Sequence, residues 1–185
     1  DSRKAALRAG VQDRVRFIQA GAKLAETGVL RYTLADEGDL VSYHERRLDA
    51  LGLAETAARV EFWQGDACNL KDVFVGFDLI LAANLIDRLY SPRRFLADVG
   101  RRLNPGGLLL LASPYTWLEE HTKREEWVGG FKKDGESYTT LDGLKDLLSA
   151  EYELVQGPQA VPFVIRETRR KHQHTLSELT IWRRT

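Results

Sequence analysis

A chain of 185 residues with 43% hydrophobic content is long enough to bury a core in a single globular domain. Lys plus Arg and Asp plus Glu number 27 each, which excludes a global field drawing the protein onto nucleic acid or an anionic membrane and favours small-molecule chemistry. No run approaches the roughly 20 apolar residues of a membrane helix, and Asp1-Ser2-Arg3-Lys4 has no apolar signal core. The one cysteine, Cys68, has no partner for an internal disulfide, so a soluble cytoplasmic protein is expected. The sequence contains no methionine, and Asp1 reads as an internal position of a longer protein.

In chain order, residues 1–28 carry apolar Phe17, Ile18, Ala22 and Leu24 at roughly helical spacing, which predicts a surface helix. Residues 29–34 and 40–44 are strand-like runs around Ala35-Asp36-Glu37-Gly38-Asp39, the chemistry of a hairpin, inserted at about 29–45. Leu48, Leu51 and Leu53 suggest a short helix. Val60–Gln64 alternates like a strand and stops at Gly65-Asp66-Ala67. Residues 77–84 form the next strand. Residues 107–113 form another, whose unbroken apolar run predicts cover by helices on both faces. Between them, Ser91 as N-cap, Pro92 at the first helical position and Asn104-Pro105-Gly106-Gly107 as the stop frame a helix buried along Phe95, Leu96, Val99 and Leu103. Strand, helix, strand in this order is a right-handed parallel crossover. A helix from Thr140 carries Leu141, Leu144, Leu147 and Leu148, and strands over 152–155, 163–167 and 179–183 finish the sheet antiparallel. One α/β domain, parallel with an antiparallel C-terminal hairpin, is the economical reading.

Ligands of open α/β sheets bind beyond the carboxyl ends of the strands. Three such ends stand out. After the first, Asp66 can accept from an adenine amino group while Ala67 leaves room for the ring; an ordinary turn closed by an Asx hydrogen bond accounts for the same residues. After the second, Asn84 offers both donor and acceptor beside Asp87 and Arg88, which equally suit a surface ion pair near a helix start. The third, Ser113-Pro114-Tyr115-Thr116-Trp117, opens a lid-like stretch over about 114–138, with Trp127, Phe131 and Tyr138 in it and Gly129-Gly130 as its hinge. Its aromatics either wall a pocket or pin the loop to the body. Arg166 can pair bidentately with a substrate carboxylate. His172-Gln173-His174 has no third ligand nearby, so no metal is expected, and Arg169-Arg170-Lys171 reads as a solvated hairpin end rather than a nucleic-acid patch.

The loop Gly65-Asp66-Ala67, the strand end at Asn84 and the turn Asn104-Pro105-Gly106-Gly107 resemble a Rossmann-like class I methyltransferase core. The strings at 65–70, 83–90, 113–120, 127–131 and 162–171 resemble, more specifically, the C-terminal domain of the ovothiol synthase family, in which a 5-histidylcysteine sulfoxide synthase is fused to a mercaptohistidine methyltransferase. The likeness runs from about Phe17 to the end. It implies S-adenosyl-L-methionine as cofactor and methylation of an imidazole nitrogen of 5-thiohistidine, giving ovothiol A. It further implies adenine contacts at Asp66 and Ala67, and catalytic roles for Asn84, Asp87 and Tyr115, with Asn84 also beside the cofactor. Arg88, Trp117 and Arg166 would hold the substrate. Sulfoxide synthase domains are expected upstream in the full-length protein.

The family's first strand and glycine-rich cofactor turn have no counterpart before Phe17, so the domain is expected to be incomplete and the chain inactive as it stands. The rival readings are a class I methyltransferase acting on another acceptor, a nicotinamide-dependent reductase and a noncatalytic interaction module. The reductase is disfavoured because no tyrosine has a lysine four residues on.

Overall fold

The computed structural model describes residues 23–185. Most of the helix expected over 1–28 therefore lies outside the described residues; 23–27 are helical. The chain divides into two compact units: residues up to Gln64 with Arg166–His172, and Gly65–Ile165 with Gln173–Thr185.

The first unit is built on the expected hairpin, β1 (Val29–Glu37) against β2 (Leu40–Arg47), antiparallel and turning at Gly38 with φ +54°. Cross-strand pairs hold the register: Tyr32 stacks on His44 with ring centroids 5.4 Å apart, and Arg31 Nε meets Glu45 at 2.8 Å. The basic connection belongs to this unit, with Arg166 on Asp36 at 2.9 Å and Arg170 on Glu37 at 3.4 Å. The short helix expected near Leu48–Leu53 forms later, as a 3-10 turn over Ala54–Arg59. Val60–Gln64 is not a strand; the run adopts no regular structure, because an alternating pattern makes a strand only where a neighbouring strand takes its hydrogen bonds, and no ladder among the described residues includes it.

The second unit carries a four-stranded mixed sheet in the order β3 (Phe77–Ala83), β4 (Leu103–Ser113), β8 (His172–Arg184), β7 (Tyr152–Arg166). β3 and β4 are parallel, and β8 runs antiparallel to β4. Helix α1 (Pro92–Val99) makes the crossover, with Phe95, Leu96, Val99 and the following Leu103 all buried, as the helical spacing predicted. Ser91 stands at the N-cap position, but its hydroxyl donates to Glu126 Oε2 (2.9 Å) instead of capping the helix. Asn104-Pro105-Gly106-Gly107 lies inside β4 rather than ending the helix, and the Asn104 amide ties it to Gly76 and Asp78. Helix α2 (Thr140–Leu148) opens on a capping box between Thr139 and Asp142; Leu144 and Leu148 are buried, while Leu147 is exposed. Sequence signals for strands at 152–155 and 163–167 merge into the single long β7.

The sheet is covered unequally. On one face Ala82, Leu109, Leu111 and Trp182 pack with α1 and α2 in the core. Alternation turns Leu79 and Leu81 of β3, Leu108 and Leu110 of β4, and Ile181 of β8 to the other face. There Leu79 and Leu81 remain 52% and 59% exposed. The expectation of helices on both faces thus holds for one, because among the described residues the helices of this unit share a side. No described helix is long and apolar enough to cross a membrane.

Arg102, just past α1, is 1% exposed, and its guanidinium donates to the carbonyls of Leu70, Lys71 and Phe74 and to Asp98. That one side chain fastens the loop before β3 to the end of the covering helix. The stretch expected as a lid is likewise part of the body: Trp117, Thr122 and Val128 are buried, and 131–138 folds as the small hairpin β5 (Phe131–Lys133) and β6 (Glu136–Tyr138). Gly129 serves close approach rather than a hinge, since a Cβ there would lie 2.2 Å from the Thr139 carbonyl oxygen.

Candidate active site at the strand ends

The carboxyl ends of β3 and β4 lie side by side, with the Asn84 N–H donating to the Ala112 carbonyl at 2.6 Å. Both ends leave their strands through left-handed backbone, at Asn84 (φ +50°) and Tyr115 (φ +53°). Asparagine visits this region readily. Tyrosine does so at a cost of about 1–2 kcal/mol, which the surrounding contacts must offset.

Asn84 Oδ1 accepts from the Ser177 hydroxyl of β8 at 2.7 Å. Asp87, on a 3-10 turn over Ile86–Arg88, is 1% exposed, whereas Arg88 is only half-buried. Its Oδ2 accepts from the Thr116 N–H at 3.1 Å and faces Arg88 Nη1 at 3.4 Å, whereas Oδ1 is buried without a hydrogen-bond partner. Arg88 also donates to the Thr116 carbonyl at 2.7 Å. Asp87 and Arg88 together grip both sides of the Thr116 peptide and fix the backbone that follows Tyr115.

Tyr115 donates to Glu178 Oε1 at 3.0 Å. Burial, followed by the Glu178 charge and hydrogen bond and then the Asp87 charge, pushes its phenol far above the ordinary range, so the hydroxyl remains a donor. Ser113, Tyr115, Ser177 and Glu178 line an open cavity of about 270 Å³ together with Pro158–Ala160 of β7. Glu178 and Ser177 had no local signal in the sequence. They arrive by register, because antiparallel pairing sets Glu178 opposite Ser113 at the end of β4.

Asp66 makes the Asx turn, accepting from the Cys68 N–H at 2.9 Å through Oδ1, and takes the Tyr90 hydroxyl on Oδ2 at 2.9 Å. Ala67 is half-buried against the core beside it. Cys68 donates to the Ser91 carbonyl and burial pushes its thiol up, which suits a structural cysteine rather than a nucleophile. Trp117 is drawn into the core, where its Nε1 donates to Thr140 Oγ1 at 2.9 Å and its ring stacks on Trp127 at 6.1 Å. Arg166 lies in the other unit, and its guanidinium already holds the Asp36 carboxylate and the carbonyls of Ala35 and Thr168. The structure thus brings Asn84, Asp87, Arg88 and Tyr115 together, sets Asp66 and Ala67 in a neighbouring turn of the same unit, and gives Trp117 and Arg166 partners of their own.

No protein-family model matches the sequence, and no curated protein is similar to it at a significant level. Among solved structures, the chain is similar to one from a study of the conversion of a disulfide bond into a thioacetal group during echinomycin biosynthesis: 18% identity, a TM-score of 0.43, and coverage of 73% of this chain and 62% of that one. It is also similar to a SAM-dependent methyltransferase from Methanosarcina mazei, at 23% identity, a TM-score of 0.42, and coverage of 74% of this chain and 77% of that one.

Proposed function

We propose that this chain belongs to an S-adenosylmethionine-dependent methyltransferase whose acceptor is an imidazole nitrogen of 5-thiohistidine. The observation that carries the reading is the meeting of Asn84, Asp87 and Tyr115, three residues of the strings that resemble the ovothiol synthase family, at two adjacent parallel strand ends. The residues fit a cationic donor. Asp87 is a buried carboxylate at the strand end, and one of its oxygens has no hydrogen-bond partner among the described residues.

S-adenosylmethionine supplies an electrophilic methyl on a sulfonium. The chain's part is placement: Asp66 and Ala67 take the adenine edge, Asn84 and Asp87 orient the acceptor, and Tyr115 walls it in and excludes water. Holding two reactants in line is worth about 7–11 kcal/mol of barrier, enough to explain methyl transfer without an acid or base of unusual pKa. Asn84 and Asp87 would hold the acceptor ring with its neutral nitrogen turned toward the place the donor would occupy.

Isothermal titration of the full-length protein with S-adenosylhomocysteine, and a methyl-transfer assay comparing 5-thiohistidine with unrelated acceptors, test this reading. Binding together with turnover confined to thiohistidine is expected. Turnover of an unrelated acceptor in preference to thiohistidine would replace the substrate, and turnover of none by the full-length protein would remove the activity.

A further inference from the structure

The cavity beside Tyr115 has a chemical bias that the strand ends alone do not explain. Among the described residues, Glu178 is the only charged side chain on its wall. Among the described residues, its one hydrogen-bond partner is the Tyr115 hydroxyl, and no Lys, Arg or His pairs with it. Ser177, 4% exposed, spends its proton on Asn84 and so presents oxygen lone pairs rather than a donor. Tyr115 likewise gives its proton to Glu178. The wall is thus rich in acceptors and carries one uncompensated negative charge in a partly desolvated site, where a matching cation is favoured more than it is in water.

We propose that Glu178, with Ser177 and Tyr115, is a recognition site for a primary ammonium group, the amino group of an amino-acid-sized acceptor. An ammonium has three donors and no acceptor, the complement of a carboxylate flanked by two hydroxyl oxygens whose own protons are committed elsewhere. At about 270 Å³ the cavity has room for the head of an amino acid. The pairing of Tyr115 with Glu178 also gives the strained backbone at Tyr115 a purpose, since it aims the phenol across the sheet end to β8. This assignment rests on the proposed methyl transfer only for the identity of the acceptor; the preference for an ammonium stands on the cavity itself.

The test is calorimetric titration of the protein with histamine, L-histidine and imidazolepropionate, and separately with S-adenosylhomocysteine, repeated on Glu178→Gln and Tyr115→Phe. Histamine and histidine are expected to bind and imidazolepropionate, which lacks the amine, to bind at least tenfold more weakly. Glu178→Gln should weaken the two amines by about tenfold or more, as loss of a charge-assisted hydrogen bond does, with an unchanged melting temperature and unchanged S-adenosylhomocysteine affinity. Tyr115→Phe should weaken the amines less, because it frees Glu178 without removing its charge. Amine binding that Glu178→Gln leaves intact, a preference for imidazolepropionate, or no amine binding to the unmodified protein would overturn the proposal. Glu178-dependent amine binding, with neither methyl transfer nor affinity for S-adenosylhomocysteine in the full-length protein, would keep the site while removing the methyltransferase reading.

Discussion

The two faces of the β3-β4-β8-β7 sheet are written in nearly the same alphabet, leucine and isoleucine with an occasional alanine, yet they are in opposite physical states. Beneath α1 and α2, Leu109, Leu111 and Trp182 are at most 2% exposed, whereas on the opposite side Leu79 and Leu81 keep more than half their surface in solvent. Apolar residues on a strand are therefore a request for cover, and stability accrues only where an element arrives to provide it.

Substitutions that separate the faces should differ by an order of magnitude. Trp182→Ala on the covered side empties the largest fully buried site and should cost about 3–5 kcal/mol in urea unfolding. Arg102→Met, at the end of the covering helix, removes a buried guanidinium from three part-buried carbonyls and should cost about 2–3 kcal/mol by the same measurement.

Tyr152 offers a pH-resolved version. Burial, helped by the Glu151 charge, pushes its phenol up to about 12 from an ordinary value near 10. The folded state prefers the protonated form, so this contribution is whole below about pH 10 and is lost as pH climbs through 12. Tyr152→Phe should flatten that alkaline fall while leaving stability at neutral pH within about 1 kcal/mol, since the hydroxyl it deletes has no hydrogen-bond partner. Tyr138, held up to about 12 by its hydrogen bond to Asp146, contributes to the same window and serves as the control substitution. Smallest of all, Leu81→Lys on the uncovered side should move stability by no more than about 0.5 kcal/mol while reducing dye binding by exposed apolar surface. A cost comparable to that of Trp182→Ala would show that this face is covered in solution.

Local grammar made the crossover legible. Pro92 and the stripe Phe95, Leu96, Val99 and Leu103 act through neighbours three or four residues away, and those distances can be read off a string. Val60–Gln64 failed because a strand is a relation between segments, and its alternation says nothing of a partner. Ser91 failed as a cap because Glu126, 35 residues on, competes for its hydroxyl. The site divides in the same way. Asn84, Asp87 and Tyr115 follow strands that announce themselves, whereas Glu178 enters through the pairing of β8 with β4, and Trp117 is withdrawn by a hydrogen bond to Thr140 that no spacing rule encodes. Arg166 was assigned to a substrate carboxylate on sequence, and the structure supplies Asp36 as a carboxylate from the chain itself.

Gly143 sits in the first half of α2 so close to the chain ahead of it that a methyl group there would fall 1.8 Å from the Val128 carbonyl oxygen. Bone on bone, the helix and the segment downstream of Tyr115 have no cushion of side chain to slide on. A side chain at position 143 would have to push the two backbones apart, so the helix and the segment downstream of Tyr115 keep their separation only while that position carries hydrogen alone.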